Sequence, residues 1–313
     1  MPTRRPPRHF LTVSSLSPRQ ITDLFASAAE HERAGTCDAL RGRLVAPMFF
    51  QPSTRTRIGF EAAALRSGAT VSGFSDPNST RCQAATQETF EDCIRTVGAI
   101  ADAIVLRHST PGQAAYASSL VETPIINAGD GSEHPTQALI DAFAMTHLTG
   151  QPMTRLRVGL TGDLGNRCTR PLVLLLTRLE AREVVILRDD DRPIDAEVAT
   201  TLVGSGVRWR ETGDALDLLA NCDVVSAAPR STAFIRDPGK SYPPGETTTP
   251  DSHVISAEKI AKTRSKALVM HPLPRRNEIS ADVDGLPNAA YFKQVALSVP
   301  LRMAVLKDVL GRD

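Results

Sequence analysis

Short continuous apolar runs alternate along the chain with longer stretches in which apolar residues recur every three or four positions. In the first half the runs are Phe10-Leu-Thr-Val13, Leu44-Val-Ala-Pro-Met-Phe-Phe50, Ala103-Ile-Val-Leu106 and Pro124-Ile-Ile-Asn127. In the second half they are Arg157-Val-Gly-Leu160, Val184-Val-Ile-Leu187, Asp223-Val-Val225 and Ala267-Leu-Val-Met270. A strand with no polar alternation is buried on both faces, the mark of a parallel sheet covered by helices. Helical spacing follows Ser17-Pro18, an N-cap and first-turn proline, through Ile21, Leu24, Phe25 and Ala28. It recurs through Ile58, Ala62, Leu65 and Ala69, from about Thr136 to Leu148, from Pro171 to Leu179, and from Ala215 to Ala220. The turn-rich Thr149-Gly-Gln-Pro152 divides the alternation. The pattern predicts an α/β protein of two similar-sized domains, residues 1–149 and 150–288, each a parallel sheet flanked by helices. Residues from about 289 to 313 form a last helix expected to pack back on the first domain. The Pro- and Gly-rich stretch Arg236 to Thr249 reads as a long irregular loop, a type often used for function.

Composition narrows the class. The chain has 313 residues, 41% hydrophobic and 23% charged, with 36 Lys+Arg against 35 Asp+Glu. Those values describe an ordinary globular protein and exclude a largely disordered or fibrous one. A formal net charge of +1 argues against a general nucleic-acid binder. Arginine outnumbers lysine, which suits bidentate anion binding. Five scattered cysteines, Cys37, Cys82, Cys93, Cys168 and Cys222, show no CxxC pair and no zinc spacing, so reduced thiols are expected. No apolar run is long enough for a membrane span, and the Arg- and Pro-rich start is not a signal peptide, so the cytoplasm is the expected compartment.

Three segments combine chemistry with a strand-to-helix position. Gln51-Pro-Ser-Thr-Arg-Thr-Arg57 places three hydroxyls and two guanidiniums at a helix start, where free N–H groups and the helix dipole favour an anion. Gly129-Asp-Gly-Ser-Glu-His-Pro-Thr-Gln137 puts His134 before a helix and Gln137 one turn into it, suited to polarising a carbonyl. Met270-His-Pro-Leu-Pro-Arg-Arg276 is a proline-stiffened loop whose carbonyls are available to accept from an amine or amide. Arg107 ends one strand, and Arg167 follows the glycine-rich Val158–Gly165 stretch. The glycine spacing there is not the dinucleotide-binding G-x-G-x-x-G, which sets that activity aside.

Taken together, Ser53-Thr-Arg-Thr-Arg57, Arg107-His108, His134-Pro-Thr-Gln137 and His271-Pro-Leu-Pro274 resemble the aspartate/ornithine carbamoyltransferase family, on its aspartate side. The likeness runs from Arg8-His-Phe-Leu through Gly162-Asp-Leu to Glu278-Ile-Ser-Ala-Asp-Val-Asp284 and Tyr291-Phe-Lys-Gln294. The resemblance implies a carbamoyltransferase with its site between the two domains. Ser53, Thr54, Arg55, Thr56 and Arg107 would hold the phosphate of carbamoyl phosphate. Thr56, Arg107 and His134 would polarise its carbonyl, while Gln137 and the backbone of Pro272 and Leu273 would hold its NH2. Arg55, Thr56, Arg107 and His134 would thus form the catalytic set, and Arg167, Arg230 and Leu273 the acceptor site. No metal or organic cofactor is implied. A homotrimer with shared sites is.

Three family features differ. The family's neighbouring-subunit loop normally reads like Ser-x-x-Lys-Lys-Gly-Glu-Thr, but here it is Asn78-Ser-Thr-Arg-Cys-Gln-Ala-Ala-Thr-Gln-Glu-Thr89. Thr86 stands at the Lys position and Arg81 is the nearest cation. The acceptor loop reads Ala227-Ala-Pro-Arg-Ser-Thr232, with Arg230 but no following Gln, and Gly162–Arg167 is one residue shorter than usual. From these departures we expect an amine acceptor other than L-aspartate, in a specialised pathway. The competing expectations are ordinary aspartate carbamoyltransferase activity in pyrimidine biosynthesis and a non-catalytic homologue serving as a binding or partner subunit; a regulatory subunit is left open.

Overall fold

The computed structural model describes residues 8–76, 80, 82, 88–189, 194–229 and 249–311. Packing divides the chain into two units, residues 1–136 with 297–313, and residues 137–296. The sequence pattern puts the division after the helix that follows His134; by packing, that helix belongs almost wholly to the second unit.

In the first unit, helix α1 (Pro18–Ala34) opens on a capping box, with Ser17 and Gln20 bonding each other's backbone. Strands β1 (Leu44–Phe49), β2 (Thr70–Val71), β3 (Ala103–Arg107) and β4 (Ile125–Asn127) form a parallel sheet in the order β2-β1-β3-β4. Helices α2 (Thr54–Arg66), α3 (Phe90–Ile100) and α4 (Gln113–Leu120) connect them. Helix α3 has no counterpart among the sequence expectations, although Phe90, Cys93, Ile94 and Val97 carry the spacing of an amphipathic helix and pack in the core with Met48, Ile104 and Leu106. The helical spacing through Ile58 and Leu65 does mark α2, but those residues are 58% and 61% exposed. The buried face is Thr56, Gly59, Phe60, Ala63 and Ala64 instead.

The second unit contains most of α5 (Pro135–Thr149), then β5 (Arg157–Thr161), α6 (Thr169–Arg178), β6 (Glu183–Leu187), α7 (Ala196–Ser205), β7 (Trp209–Thr212), α8 (Ala215–Asn221), β8 (Val224–Ala227), α9 (Ala257–Thr263) and β9 (Leu268–Met270). Its sheet is parallel, in the order β7-β6-β5-β8-β9. The last helix, α10 (Tyr291–Leu310), begins in this unit and ends in the first. Among the described residues, no helix is long and apolar enough to cross a membrane.

The topology fixes where ligands collect. In each unit the chain builds outward on one side of a starting strand and then crosses to the other side. Such a reversal opens a crevice at the carboxyl ends of the two strands. In the first unit the reversal lies between β1 and β3; in the second it lies between β5 and β8.

The expectation of five reduced thiols is corrected at one pair. Cys82 and Cys93 form a disulfide, with Cα atoms 5.6 Å apart. The cause is local. Cys82 pairs with Glu88 in a parallel β-bridge just before α3, and Cys93 lies in the first turn of that helix. Cys37, Cys168 and Cys222 are not in a disulfide.

Candidate functional site

The first unit's crevice is lined by the loop after β1, the end of β3 and the loop after β4. Ser53 caps α2, its Oγ accepting from the Thr56 N–H at 3.4 Å. Thr54 is exposed and Arg55 half-buried, whereas Thr56 is buried. The hydroxyl of Thr56 lies 3.5 Å from Nε2 of His134, and the hydroxyl of Thr136 lies 3.3 Å from its Nδ1. The imidazole is therefore held between two hydroxyls, both ring nitrogens engaged. Arg107 is the last residue of β3, buried, with Nη1 donating to the carbonyl of Ala128 at 3.0 Å. Gly129 makes room for this pairing. Its φ is +105°, and a Cβ there would stand 2.7 Å from Arg107 Nη1 and 3.0 Å from His134 Cδ2. Asp130 then holds the turn that delivers His134, accepting from the backbone of Ser132 and Glu133.

Arg57, counted in the sequence as a second fork of the same anion motif, has other partners. Its Nε donates to Glu61 at 2.7 Å and its Nη1 to Ser75 at 2.6 Å. His108, beside Arg107 in the same motif, has partners of its own. Its ring packs against Phe50 and Phe90, its Nδ1 accepts from the Thr110 N–H, and burial holds its pKa below the usual histidine value.

Behind α2 sits a group the sequence reading missed. Arg302 on α10 is 2% exposed, its guanidinium over the Phe60 ring at 5.1 Å and its Nη1 bonded to Ser298. Burial, then the charge of Arg55, pushes its pKa down to about 9. The signal for it was Gly59, where a Cβ would meet Arg302 Nη1 at 2.1 Å.

In the second unit, Arg167 is buried in the loop between β5 and α6. Asn166 shapes that loop, its side-chain oxygen accepting from the N–H groups of Cys168 and Thr169. Gly162, at φ +91°, passes so close to the end of β8 that a Cβ would stand 2.0 Å from the Ala228 carbonyl oxygen. The loop of Arg167 and the chain leading toward Arg230 thus leave the same switch point. Arg230, Arg81, Thr86 and most of the loop Arg236 to Thr249 lie outside the described residues.

The loop after β9 carries half-buried Pro272 and Leu273, the latter at φ +52° and followed by a cis Leu273–Pro274 bond. The Leu273 N–H donates to Nδ1 of buried His271 at 2.8 Å, while His271 Nε2 lies 3.6 Å from Glu278 Oε2. Glu278 in turn accepts from the Arg276 N–H. Gln137 donates from Nε2 to Asp141 at 2.7 Å. The sequence did not single out Asp141, and it gave Gln294, its second partner, only as the end of the Tyr291–Gln294 likeness.

Comparison with known proteins gives the family. Residues 8–147 match the family model described as aspartate/ornithine carbamoyltransferase, carbamoyl-P binding domain, and residues 154–309 match the Asp/Orn binding domain. The chain is 34% identical to the aspartate carbamoyltransferase catalytic subunit of Clostridium botulinum, covering 97% of this chain and 98% of that one. It is 35% identical to the chloroplastic aspartate carbamoyltransferase of Arabidopsis thaliana, covering 93% and 74%. Among solved structures, the catalytic subunit of M. jannaschii aspartate transcarbamoylase aligns with a TM-score of 0.85 at 31% identity over 96% of this chain and 97% of that one. Aspartate transcarbamoylase from Trypanosoma cruzi, in complex with aspartate and phosphate, aligns with a TM-score of 0.85 at 29% identity over 98% and 97%. These likenesses overturn the expectation of an acceptor other than aspartate. That expectation rested on three short segments, whereas the likeness to proteins named for aspartate extends over nearly the whole chain.

Proposed function

The chain belongs to the aspartate/ornithine carbamoyltransferase family of transferases, and we propose that it is an ordinary aspartate carbamoyltransferase, forming N-carbamoyl-L-aspartate and phosphate for pyrimidine synthesis. The observation that carries this reading is the first unit's crevice. The Ser53–Thr56 helix start, Arg107 and the doubly held His134 bring anion-binding and carbonyl-polarising groups to one rim, in a chain whose relatives act on aspartate.

In this reading the backbone N–H groups and hydroxyls at the start of α2, with Arg55 and Arg107, bind the phosphate. Thr56, Arg107 and His134 stabilise the negative charge that grows on the carbonyl oxygen during attack. Gln137 Oε1 and the carbonyls of Pro272 and Leu273 accept from the carbamoyl NH2. The aspartate nitrogen bonds to the carbonyl carbon, the C–O bond to phosphate breaks, and the amine proton leaves with the phosphate. Arg167 and Arg230 are assigned to the carboxylates of aspartate. We place the working form as a homotrimer, with Arg81 and Thr86 on the loop offered to a neighbouring copy. The exposed Ile58 and Leu65, seven residues apart on one face of α2, support burial against another chain.

The test is product analysis by mass spectrometry after incubation with carbamoyl phosphate and either L-aspartate or L-ornithine. A ureido product from aspartate alone is expected. No product from aspartate overturns the reading, and product from another amine only would do the same.

A further inference from the structure

A buried polar chain in the second unit joins three elements that are far apart in sequence. Asp141 on α5 is 1% exposed, and its Oδ1 accepts from Gln137 Nε2 at 2.7 Å and from Gln294 Nε2 at 2.5 Å. Gln294 on α10 is also 1% exposed, and its Oε1 accepts from the backbone N–H of His271 at 3.0 Å. A backbone N–H can only donate, so Gln294 must turn its oxygen to His271 and its NH2 to Asp141. The same Asp141 Oδ1 accepts from both amides, so Gln137 turns its NH2 to Asp141 as well. Gln137 is left with one group for a ligand, Oε1, and no described residue donates to it.

An amide that presents only its oxygen recognises a donor. We propose that Asp141 is a positioning residue that locks Gln137 oxygen-outward and, through Gln294 and the His271 N–H, ties that oxygen to the Pro272–Leu273 backbone, so that together they select an NH2-bearing acyl phosphate over one with a methyl group. This rests on the assignment of Gln137, Pro272 and Leu273 to the carbamoyl NH2. Without Asp141 the Gln137 amide can rotate and offer NH2 to NH2, two donors face to face. The groups meeting the carboxylate are the two amides, from α5 and α10. The nearest ionisable pair in the same network, His271 and Glu278, is one residue further along, beyond Gln294.

The experiment compares carbamoyl phosphate with acetyl phosphate, which keeps the phosphate and carbonyl but replaces NH2 by CH3. Affinities of both are measured by calorimetry on the full chain and on the variants Asp141→Leu, Asp141→Asn and Gln294→Met. The wild type should prefer carbamoyl phosphate by about tenfold or more. Asp141→Leu should bring the two affinities within about threefold while acetyl phosphate binding stays near the wild-type value. Asp141→Asn, which keeps an acceptor oxygen in place, should restore most of the preference. Gln294→Met, which leaves the Asp141–Gln137 bond intact, should lower the preference by about threefold and carries the test if Asp141→Leu fails to fold. An unchanged preference in Asp141→Leu, an equal fall in both affinities, or an Asn variant as indiscriminate as the Leu variant would each overturn the proposal, as would an unchanged Gln294→Met. Turnover with aspartate is measured separately. A wild type that discriminates between the two acyl phosphates yet fails to carbamoylate aspartate defeats the assigned reaction and leaves the positioning role standing.

Discussion

In the first unit the groups proposed to hold the anion are neighbours in sequence or sit at strand ends: Ser53 to Thr56 at one helix start, Arg107 closing β3, His134 after β4. In the second, the groups that fix Gln137 and the Pro272–Leu273 backbone come from residues 137, 141, 271, 278 and 294, linked only by buried hydrogen bonds. The first crevice uses what a helix N-terminus supplies in any sequence with the right cap. The second needs a network, and a network fails wherever one member is lost.

The sharpest break in that comparison is at Arg107. Replacing it with Leu removes a buried cation that bonds the Ala128 carbonyl. We expect kcat to fall by about a thousandfold, roughly 4 kcal/mol of lost transition-state stabilisation, read by steady-state kinetics with aspartate. A loss under tenfold would mean that the first crevice is not where charge develops.

Backbone crowding tests both units with one substitution each. Gly59→Ala drives a methyl to within 2.1 Å of the buried Arg302 guanidinium, and Gly162→Ala puts one 2.0 Å from the Ala228 carbonyl oxygen at φ +91°. Arg302, 2% exposed, would have to shift its guanidinium, and the Ala228 carbonyl would have to move while its own N–H stays bonded to the Thr161 carbonyl. Each should cost about 3 kcal/mol, measured by calorimetric melting. If Gly59→Ala is tolerated, Arg302 is freer than its burial indicates.

How much of this was legible follows from the same contrast. Strands β1, β3, β4, β5, β6, β8 and β9 are apolar runs and were readable as such. Strands β2 and β7 were not. Thr70–Val71 is two residues long, and Trp209-Arg-Glu-Thr212 is a polar, half-buried edge strand with no apolar run. Ser53, Arg107 and His134 could be read because each combines a chemical group with a strand end. Asp141 could not. An acid one turn beyond Gln137 looks like any helical Asp until Gln294, 153 residues on, is seen to share it. The acceptor reading went astray for a related reason, since loop letters were weighed without the scaffold they sit on.

Asp141 also gives the second unit a pH signature. Burial pushes its pKa from 3.8 up to about 7, against the two amide hydrogen bonds that oppose the rise. The folded-state value is above the unfolded one, so the native state binds more protons between them. The stability tied to this group is therefore fully present below about pH 4 and is lost as pH rises through about 7. Asp141→Asn has no such loss. Its stability relative to wild type should rise by about 2 kcal/mol between pH 5 and pH 7, read from denaturant unfolding at the two values. A constant difference would show that the carboxyl is ionised throughout.

The smallest effect is expected within the motif that looked most uniform. Arg55 and Arg57 are two residues apart at the start of α2, and the sequence treats them alike. In the structure Arg57 bonds Glu61 one turn along its own helix and Ser75 across the unit, on an exposed face. An exposed pair of this kind contributes under about 1 kcal/mol to stability. Arg57→Gln should therefore shift the melting midpoint by no more than about 3 °C and leave the affinity for inorganic phosphate within about twofold. Arg55→Gln, which removes a cation from the helix start itself, should weaken phosphate by about tenfold in the same titration. Equal losses from the two would show that both arginines read the anion and that the bonds to Glu61 and Ser75 do not hold Arg57 away from it.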